Sequence, residues 1–474
     1  MIFDGDVVLD KEQQECVDYS VGDLLINGIP GAGKSVVLLK RAQKYVRSGE
    51  GTVTIITFAK TLVKYTDEVL EKLGLRGKVE VKTADSFFWS VYSKMPGAKY
   101  HPEMINDRDR KNMITEVISS YSKQNKVTHR LFDVDRDFWN DEILWMKDRN
   151  IRTLDEYQNT QRIGRGGHIR VTKEDRVVIF EIYKRYIEAL KNAKKMDYAD
   201  FRWFIFDNFD RRDKSTERDF ILVDEAQDLS YLGLLLIKRM TKKSCTIAAD
   251  YAQKIYRNSF TWKELGINIT GKASKYLKKS YRSTKQIVAL ANSLLAHNKD
   301  ESVKAQYTMP VLPTEDGELP IIYRCDNEVV EKAKFQTLVK GLLESELVIG
   351  IPYRTWSERQ KIVTWLCDGR IGYQEITGKN ADSWSLIRPG IKIVSMHSAK
   401  GLEFDVVIIP LMNDSSMPYL PPKCAPEQVE DELERERSLM YVAMTRARNS
   451  LVMTYSGIPS RFIDEMDKEY YVVH

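Results

Sequence analysis

One stretch near the N-terminus leaves the chain few folds to choose from. The short run LLIN at residues 24–27 passes straight into Gly28-Ile-Pro-Gly-Ala-Gly33-Lys34-Ser35, and the apolar-striped segment VVLLKRAQKYV follows without a break. Strand, glycine-rich turn and helix form half of a parallel crossover unit, and parallel sheets need cover on both faces. The succession repeats along most of the chain. Residues 24–27, 53–57, 78–83, 220–223 and 245–249 read as buried strands, with amphipathic stretches such as residues 60–73 between them. After about residue 281 the rhythm restarts with strands at 321–323, 347–351, 391–394, 406–409 and 451–454. The pattern predicts an α/β protein with two doubly wound parallel sheets.

A chain of 474 residues exceeds the roughly 100–200 residues of a single domain. Residues 91–215 break the strand–helix rhythm. They are rich in charge and in aromatics and carry little strand signal, which predicts a mainly helical insertion. The expected division is 1–90 and 216–283 for the first α/β domain, 91–215 for the insertion and 284–474 for the second. Inside the insertion, residues 162–170 (RIGRGGHIR) read as a basic loop. The five cysteines are scattered without CxxC spacing, which argues against a zinc or iron–sulfur centre and against a disulfide framework. The acidic start MIFDGDVVLD lacks the layout of a signal peptide, and no apolar run reaches the ~18 residues of a membrane span. Both point to an intracellular protein without a membrane partner. The net charge of +5 permits a polyanionic partner without requiring one.

The glycine-rich turn fits GxxxxGK[ST] in its proper strand–helix setting. Its glycines let backbone N–H groups curl around phosphate oxygens, and the helix N-terminus adds positive potential. Lys34 would reach the β- and γ-phosphates of a nucleoside triphosphate, and Ser35 would offer its hydroxyl to Mg²⁺. Such a site needs a strand ending in a carboxylate. Phe220-Ile-Leu-Val-Asp224-Glu225-Ala-Gln-Asp228 supplies one, at the strand C-terminus where α/β sheets place their chemistry. Asp224 would hold the metal, and Glu225 would orient and deprotonate the attacking water. ATP and Mg²⁺ are the expected ligands.

Further segments, in order and spacing, resemble the superfamily 1 helicases of the UvrD/Rep/PcrA type. Leu9-Asp-Lys-Glu-Gln13 resembles the Q motif, GIPGAGKS motif I and VDEAQD motif II. Ala249-Asp-Tyr-Ala-Gln253-Lys-Ile-Tyr256 resembles motif III, and Leu277-Lys-Lys-Ser-Tyr281-Arg282-Ser-Thr motif IV. Ser395-Met-His397-Ser-Ala-Lys-Gly401-Leu-Glu403-Phe404 resembles motif V, and Tyr441-Val-Ala-Met-Thr-Arg446-Ala-Arg448 motif VI. The resemblance implies two RecA-like domains with a 1B-like insertion in the first. It implies that Gln13 reads adenine and Tyr281 stacks on it, that Gly28, Gly31, Ala32, Gly33, Lys34, Ser35 and Val36 surround the nucleotide, and that Glu403 contacts the ribose. Gln253 would sense the γ-phosphate, and Arg282 and Arg446 would act as arginine fingers. Val36 stands where relatives often carry an arginine. Motif IVa, Gly350-Ile-Pro-Tyr-Arg354, lies only about forty residues before motif V, which leaves no room for the large accessory domain (2B) that relatives insert there.

Single-strand binders combine backbone contacts with aromatic stacking. Motif position implies contacts to nucleic acid from Phe58, Thr83, Tyr256, Arg354 and His397. The tryptophan usual in motif III is missing from its place, and Trp262 is a candidate substitute. These features predict an ATP hydrolase that translocates along single-stranded DNA and unwinds it, 3′ to 5′ by resemblance. An alternative of another class is the motor or sensor subunit of a larger nuclease, repair or phage-defence complex, with a protein partner supplying the surface of the missing 2B domain. The residues are also compatible with an RNA strand.

Overall fold

The computed structural model describes residues 8–29, 31–99, 102–162, 169–249, 262, 264–266, 273–298, 312–313, 315–378, 383–420 and 429–474. The expected basic loop lies mostly outside them, as do Gln253 and Tyr256 of motif III.

The strands are β1 (Leu24–Gly28), β2 (Val53–Thr57), β3 (Val79–Thr83), β4 (Glu103–Met104), β5 (Lys195–Met196), β6 (Arg218–Val223), β7 (Thr241–Ala249), β8 (Ser274–Leu277), β9 (Ile321–Cys325), β10 (Val348–Tyr353), β11 (Tyr373–Ile376), β12 (Gly390–Ser395), β13 (Phe404–Ile409), β14 (Ala447–Ser456) and β15 (Val472–Val473). They form a six-stranded sheet in the order β3-β2-β6-β7-β1-β8, a seven-stranded sheet in the order β11-β12-β10-β13-β14-β9-β15, and the small pair β4-β5. Every named pairing is parallel. The fold is therefore α/β with two doubly wound sheets.

Side chains on successive strand residues face opposite ways, and the cores follow that alternation. Leu24, Ile26, Ile55 and Leu222 pack with the helix Lys34–Ser48 through Val37, Leu38, Ala42 and Tyr45. Leu25, Ile56, Ile221 and Val223 pack on the other side, in one continuous core with Trp139, Trp145, Tyr183 and Tyr186 of the segment between β3 and β6. That segment contains helices Asp107–Asn125, Arg136–Asp148, Leu154–Asn159, Lys173–Asn192 and Tyr198–Asp207. It shares its core with the sheet instead of standing apart from it. The second sheet is covered likewise. Helices Glu328–Leu343 and Trp356–Asp368 lie against Ile349, Ile351 and Ile393, and helices Lys285–Leu295 and Val429–Met444 lie on the opposite face.

No helix of the described residues is long and apolar enough to cross a membrane. Cys16, Cys245, Cys325 and Cys367 are free thiols.

The helical segment is pinned by a buried charge cluster. Lys147 Nζ lies 2.7 Å from Asp197 Oδ2 and 2.6 Å from Asp200 Oδ1, and the Tyr186 hydroxyl donates to Asp197 at 3.1 Å. Removing one partner of a buried pair strands the other charge, at a cost of roughly 3–5 kcal/mol. Lys147→Met is expected to lower stability by about that amount, seen as an earlier first transition in urea. An unchanged transition would mean that the carboxylates are solvated or protonated.

Candidate functional site

Three devices fix the glycine-rich loop. Gly31 and Gly33 adopt left-handed backbone with φ of +75° and +77°, which favours glycine. Added side chains would also collide. A Cβ on Gly31 would fall 2.7 Å from Arg282 Cβ, and one on Gly33 2.5 Å from Gln13 Nε2. The second device is Arg41, buried on the helix that the loop opens. Its guanidinium donates to the carbonyls of Cys16 (2.5 Å) and Tyr19 (2.8 Å) and to Thr246 Oγ1 (3.0 Å). It thus ties the end of helix Lys11–Asp18, where a cation suits the free carbonyls, to the loop's own helix. At the other end, Asp10 and Gln13 form a capping box. Gln13 Nε2 donates to the Ala32 carbonyl at 3.1 Å, so Gln13 braces the loop from behind.

The loop faces a cavity of about 230 Å³ lined by Gly31–Val36, Leu39, Asp224, Glu225, Tyr281 and Arg282, and from the second sheet by Gly401, Glu403 and Arg448. Helix Lys60–Lys72 adds Leu62, Tyr65, Thr66 and Val69. Lys34 Nζ donates to the carbonyls of Gly28 (2.7 Å) and Ile29 (2.9 Å). Ser35 Oγ donates to Asp224 Oδ2 at 2.7 Å. Burial, and then the neighbouring Glu225, push the Asp224 carboxyl up to about 6. Burial acts on Glu225 too, but Lys400, Lys34 and Arg446 outweigh it and hold Glu225 below its ordinary value. Tyr281 stands half-exposed at the rim, its hydroxyl donating to Asp10.

The cleft is closed by charge from both sides. Arg282 Nε donates to Glu403 Oε1 at 2.6 Å. Lys400 Nζ lies 2.5 Å from Asp228 Oδ2 and 3.9 Å from Glu225 Oε2. Gly401 adopts left-handed backbone with φ of +77°, and a Cβ there would press on Leu62 Cδ2 at 2.4 Å, so glycine is favoured at this approach.

The donor set fits a nucleoside triphosphate with a hard cation. Arg282 Nη1 and Glu403 Oε2 are buried without a hydrogen-bond partner, and buried polar atoms are normally satisfied. Ser35 and Asp224 present adjacent oxygens of the kind Mg²⁺ takes, with phosphates and water completing the shell. No cluster of three or more metal-ligating side chains occurs among the described residues.

Residues 9–262, more than half of the chain, match the family description "UvrD/REP helicase N-terminal domain". The chain belongs to the UvrD/Rep helicase family. Residues 370–457 match the UvrD-like helicase C-terminal domain. ATP-dependent DNA helicase PcrA of Bacillus subtilis is 24% identical over 405 residues, covering 78% of this chain and 50% of that protein. A probable DNA helicase II homolog of Mycoplasma capricolum is 25% identical over 237 residues, covering 46% of this chain and 32% of the relative. The chain thus spans about half, or less, of the length of these relatives. Among solved structures, the C-terminal domain of a possible DNA helicase from a Lactobacillus is 22% identical, covering 41% of this chain and 98% of that one. Its TM-score is 0.30, too slight a likeness to bear on fold or function.

The expected residues of the UvrD/Rep motifs are placed unequally. Lys34, Ser35, Val36, Asp224, Glu225, Tyr281, Arg282 and Glu403 share the cavity wall. Arg446 does not line it. It is buried and donates to the carbonyls of Val442 (2.9 Å) and Leu402 (3.4 Å), while its charge is felt at Glu225. Arg448 lines the wall instead, and its place in motif VI was the available signal.

A second cavity, of about 240 Å³, lies between the first sheet and the insertion, lined by Phe58, Asp85, Phe88, Asp148, Tyr198, Arg202 and Asp228 among others. Phe58 is 41% exposed and Tyr198 50%. Sequence reasoning passed over Tyr198, although it directly follows the helix cap Asp197.

Two of the expected strand contacts are buried. Trp262 is 6% exposed and packs in the first core, so its indole is not open to a base. Thr83 is buried, and its hydroxyl accepts from Ser86 N at 3.1 Å as a helix cap. Arg354 is engaged as well. Its Nε donates to Glu436 at 2.9 and 3.0 Å, and its guanidinium lies 4.9 Å from the Tyr419 ring.

His397 follows β12. Burial, then Arg354 and Arg435, push its imidazole down to about 4 from the usual 6.5. The unfolded chain therefore binds the extra proton between those values and the folded chain does not, so stability falls as pH drops from 6.5 towards 4. His397→Gln is expected to flatten that part of the curve of urea midpoint against pH. An unchanged slope would mean that the ring is solvated.

Proposed function

We propose that this chain is an ATP-driven motor that moves along single-stranded DNA and separates strands, stepping 3′ to 5′ as the family resemblance implies. The observation that carries the reading is that the nucleotide cavity is walled by segments that follow strands of both sheets. The loop residues 31–36, Asp224 and Glu225 come from the first, and Gly401, Glu403 and Arg448 from the second.

The roles follow from position. Backbone N–H groups of the loop and the Lys34 amine bind the β- and γ-phosphates. Ser35 and Asp224 would hold Mg²⁺, which would neutralise charge on those phosphates. Glu225, kept ionised by its cationic neighbours, orients water and takes its proton. Arg282 turns its unpartnered Nη1 to phosphate, and Glu403 offers Oε2 to a ribose hydroxyl. Tyr281 stacks on the base. Arg446 must leave its backbone partners to serve as a finger, and Arg448 already stands at the wall.

Coupling to a strand has a physical route. Asp228 lines the Phe58–Tyr198 cavity and pairs with Lys400, which also faces Glu225. A strand that shifts the walls of that cavity changes the charge beside the general base. Phe58, Tyr198 and the His397 end of β12 are the strand contacts this reading uses.

The test is the steady-state ATPase rate with and without single-stranded DNA, beside matched RNA and duplex. The expected result is strong stimulation by single-stranded DNA in the parent. Lys34→Ala should abolish turnover, and Glu225→Gln should bind ATP yet lose about 100-fold or more in rate. Near-normal turnover by Glu225→Gln would overturn the general-base role. Intact basal turnover without stimulation would favour a subunit of a larger complex, and preferential stimulation by RNA would reassign the track.

A further inference from the structure

Trp356 is the first residue of helix Trp356–Asp368 and is 63% exposed. Trp139, Trp145, Trp203, Trp262, Trp365 and Trp384 are buried, and Trp89 is half-buried in the first core. Leaving an indole in water forgoes the burial of a large apolar surface, so its setting matters.

The side chain is held in place. Arg359, one turn along the same helix, sets its guanidinium 4.3 Å from the indole centroid. That guanidinium is itself clamped to Glu375 on β11, with Nε to Oε1 at 2.6 Å and Nη2 to Oε2 at 2.5 Å. A capping box between Thr355 and Glu358 fixes the helix start, and Glu358 Oε2 also accepts from Arg354 N at 2.7 Å. The indole thus lies against an anchored cation while most of the residue is exposed. The ring is therefore pre-positioned, which lowers the entropy cost of a partner's arrival.

Its surroundings fit a nucleic-acid strand. β10 ends at Tyr353, which is in register with Ser395 at the end of β12, and Tyr353 O accepts from Met396 N at 2.9 Å. Trp356 and His397 therefore leave neighbouring strand ends. Arg354, two residues before Trp356, lies over the half-open ring of Tyr419. The succession is aromatic, arginine, aromatic, arginine. Both arginines are matched by carboxylates, Glu436 and Glu375, so the attraction on offer is the ring face more than net charge. Every base has a π-face, so such a platform tolerates any sequence. No other exposed large hydrophobic occurs on this helix among the described residues, whereas a protein-docking surface is a contiguous apolar patch.

We infer that Trp356 is a base-stacking platform on the second domain, taking a base of the same single strand that passes Phe58 and Tyr198. This rests on the motor reading above. With Trp262 packed in the core, Trp356 supplies the indole that motif III does not place on the strand.

Intrinsic fluorescence of the full chain, titrated with oligo(dT) and with an abasic oligonucleotide of equal length, tests it. Oligo(dT) should quench the emission and the abasic strand should not. Trp356→Ala should remove the quench and weaken oligo(dT) binding about 5- to 100-fold, measured by anisotropy of a labelled strand. Its affinity for the abasic strand should change less than about twofold, and Trp356→Phe should recover part of the lost affinity. The position is exposed, so Trp356→Ala should melt with the parent. If the parent binds oligo(dT) but Trp356→Ala binds it equally well and the quench persists, the platform is wrong and the motor reading stands. If the parent binds no single strand at all, the motor reading fails and the platform fails with it.

Discussion

Lys400 reaches across the cleft and places its amine 2.5 Å from Asp228 and 3.9 Å from Glu225. All three side chains are buried. A buried charge left without a counter-charge costs several kcal/mol, so this contact cannot be half made. Either the second domain brings Lys400 to the acidic end of β6, or water must reach the carboxylates. The neighbouring pair Arg282–Glu403 obeys the same rule. The cleft is thus joined by these ionic contacts and by Leu62 of helix Lys60–Lys72, which packs into the core of the second sheet. Charged contacts of this kind, which are made together or not at all, suit a cleft that closes around a ligand.

Much of this was legible because parallel sheets write themselves plainly. A strand buried on both faces is a short continuous apolar run, and the expected strand at residues 53–57 coincides with β2 to the residue. The strands missed were edges. β8 (SKYL) and β11 (YQEI) are half-buried along most of their length, and β15 is exposed. Covered on one side only, they carry mixed or polar residues that imitate loop. The nucleotide site was readable for a related reason. Its chemistry is local, a loop of eight residues and a strand end, and only their meeting is tertiary.

The expected strand contacts were less legible because motif position says nothing about which way a side chain faces. Thr83 heads the sequence Thr-Ala-Asp-Ser, where a hydroxyl three residues before a free N–H is a capping signal, and the cap takes the hydroxyl. Trp262 lies in a motif but inside the first core. Arg354 is drawn to Glu436, eighty-two residues away, a pairing invisible to any local reading.

The exposed aromatics share a local design. Tyr198 and Trp356 each occupy the first position of a helix that begins within two or three residues of a strand, β5 in one case and β10 in the other. Each helix start is locked by a capping box, Asp197 with Asp200 and Thr355 with Glu358. Capping fixes the backbone at the one helical position that has no preceding turn to pack on. A ring placed there stays exposed while its backbone is held, as Tyr198 and Trp356 are. At Tyr198 the lock is reinforced by Lys147, which holds both carboxylates of its capping box. At Trp356 it is reinforced by Arg359 and Glu375. The buried lysine of the insertion and the surface arginine of the second domain thus do the same work: each converts a helix start into a rigid mount for an exposed ring.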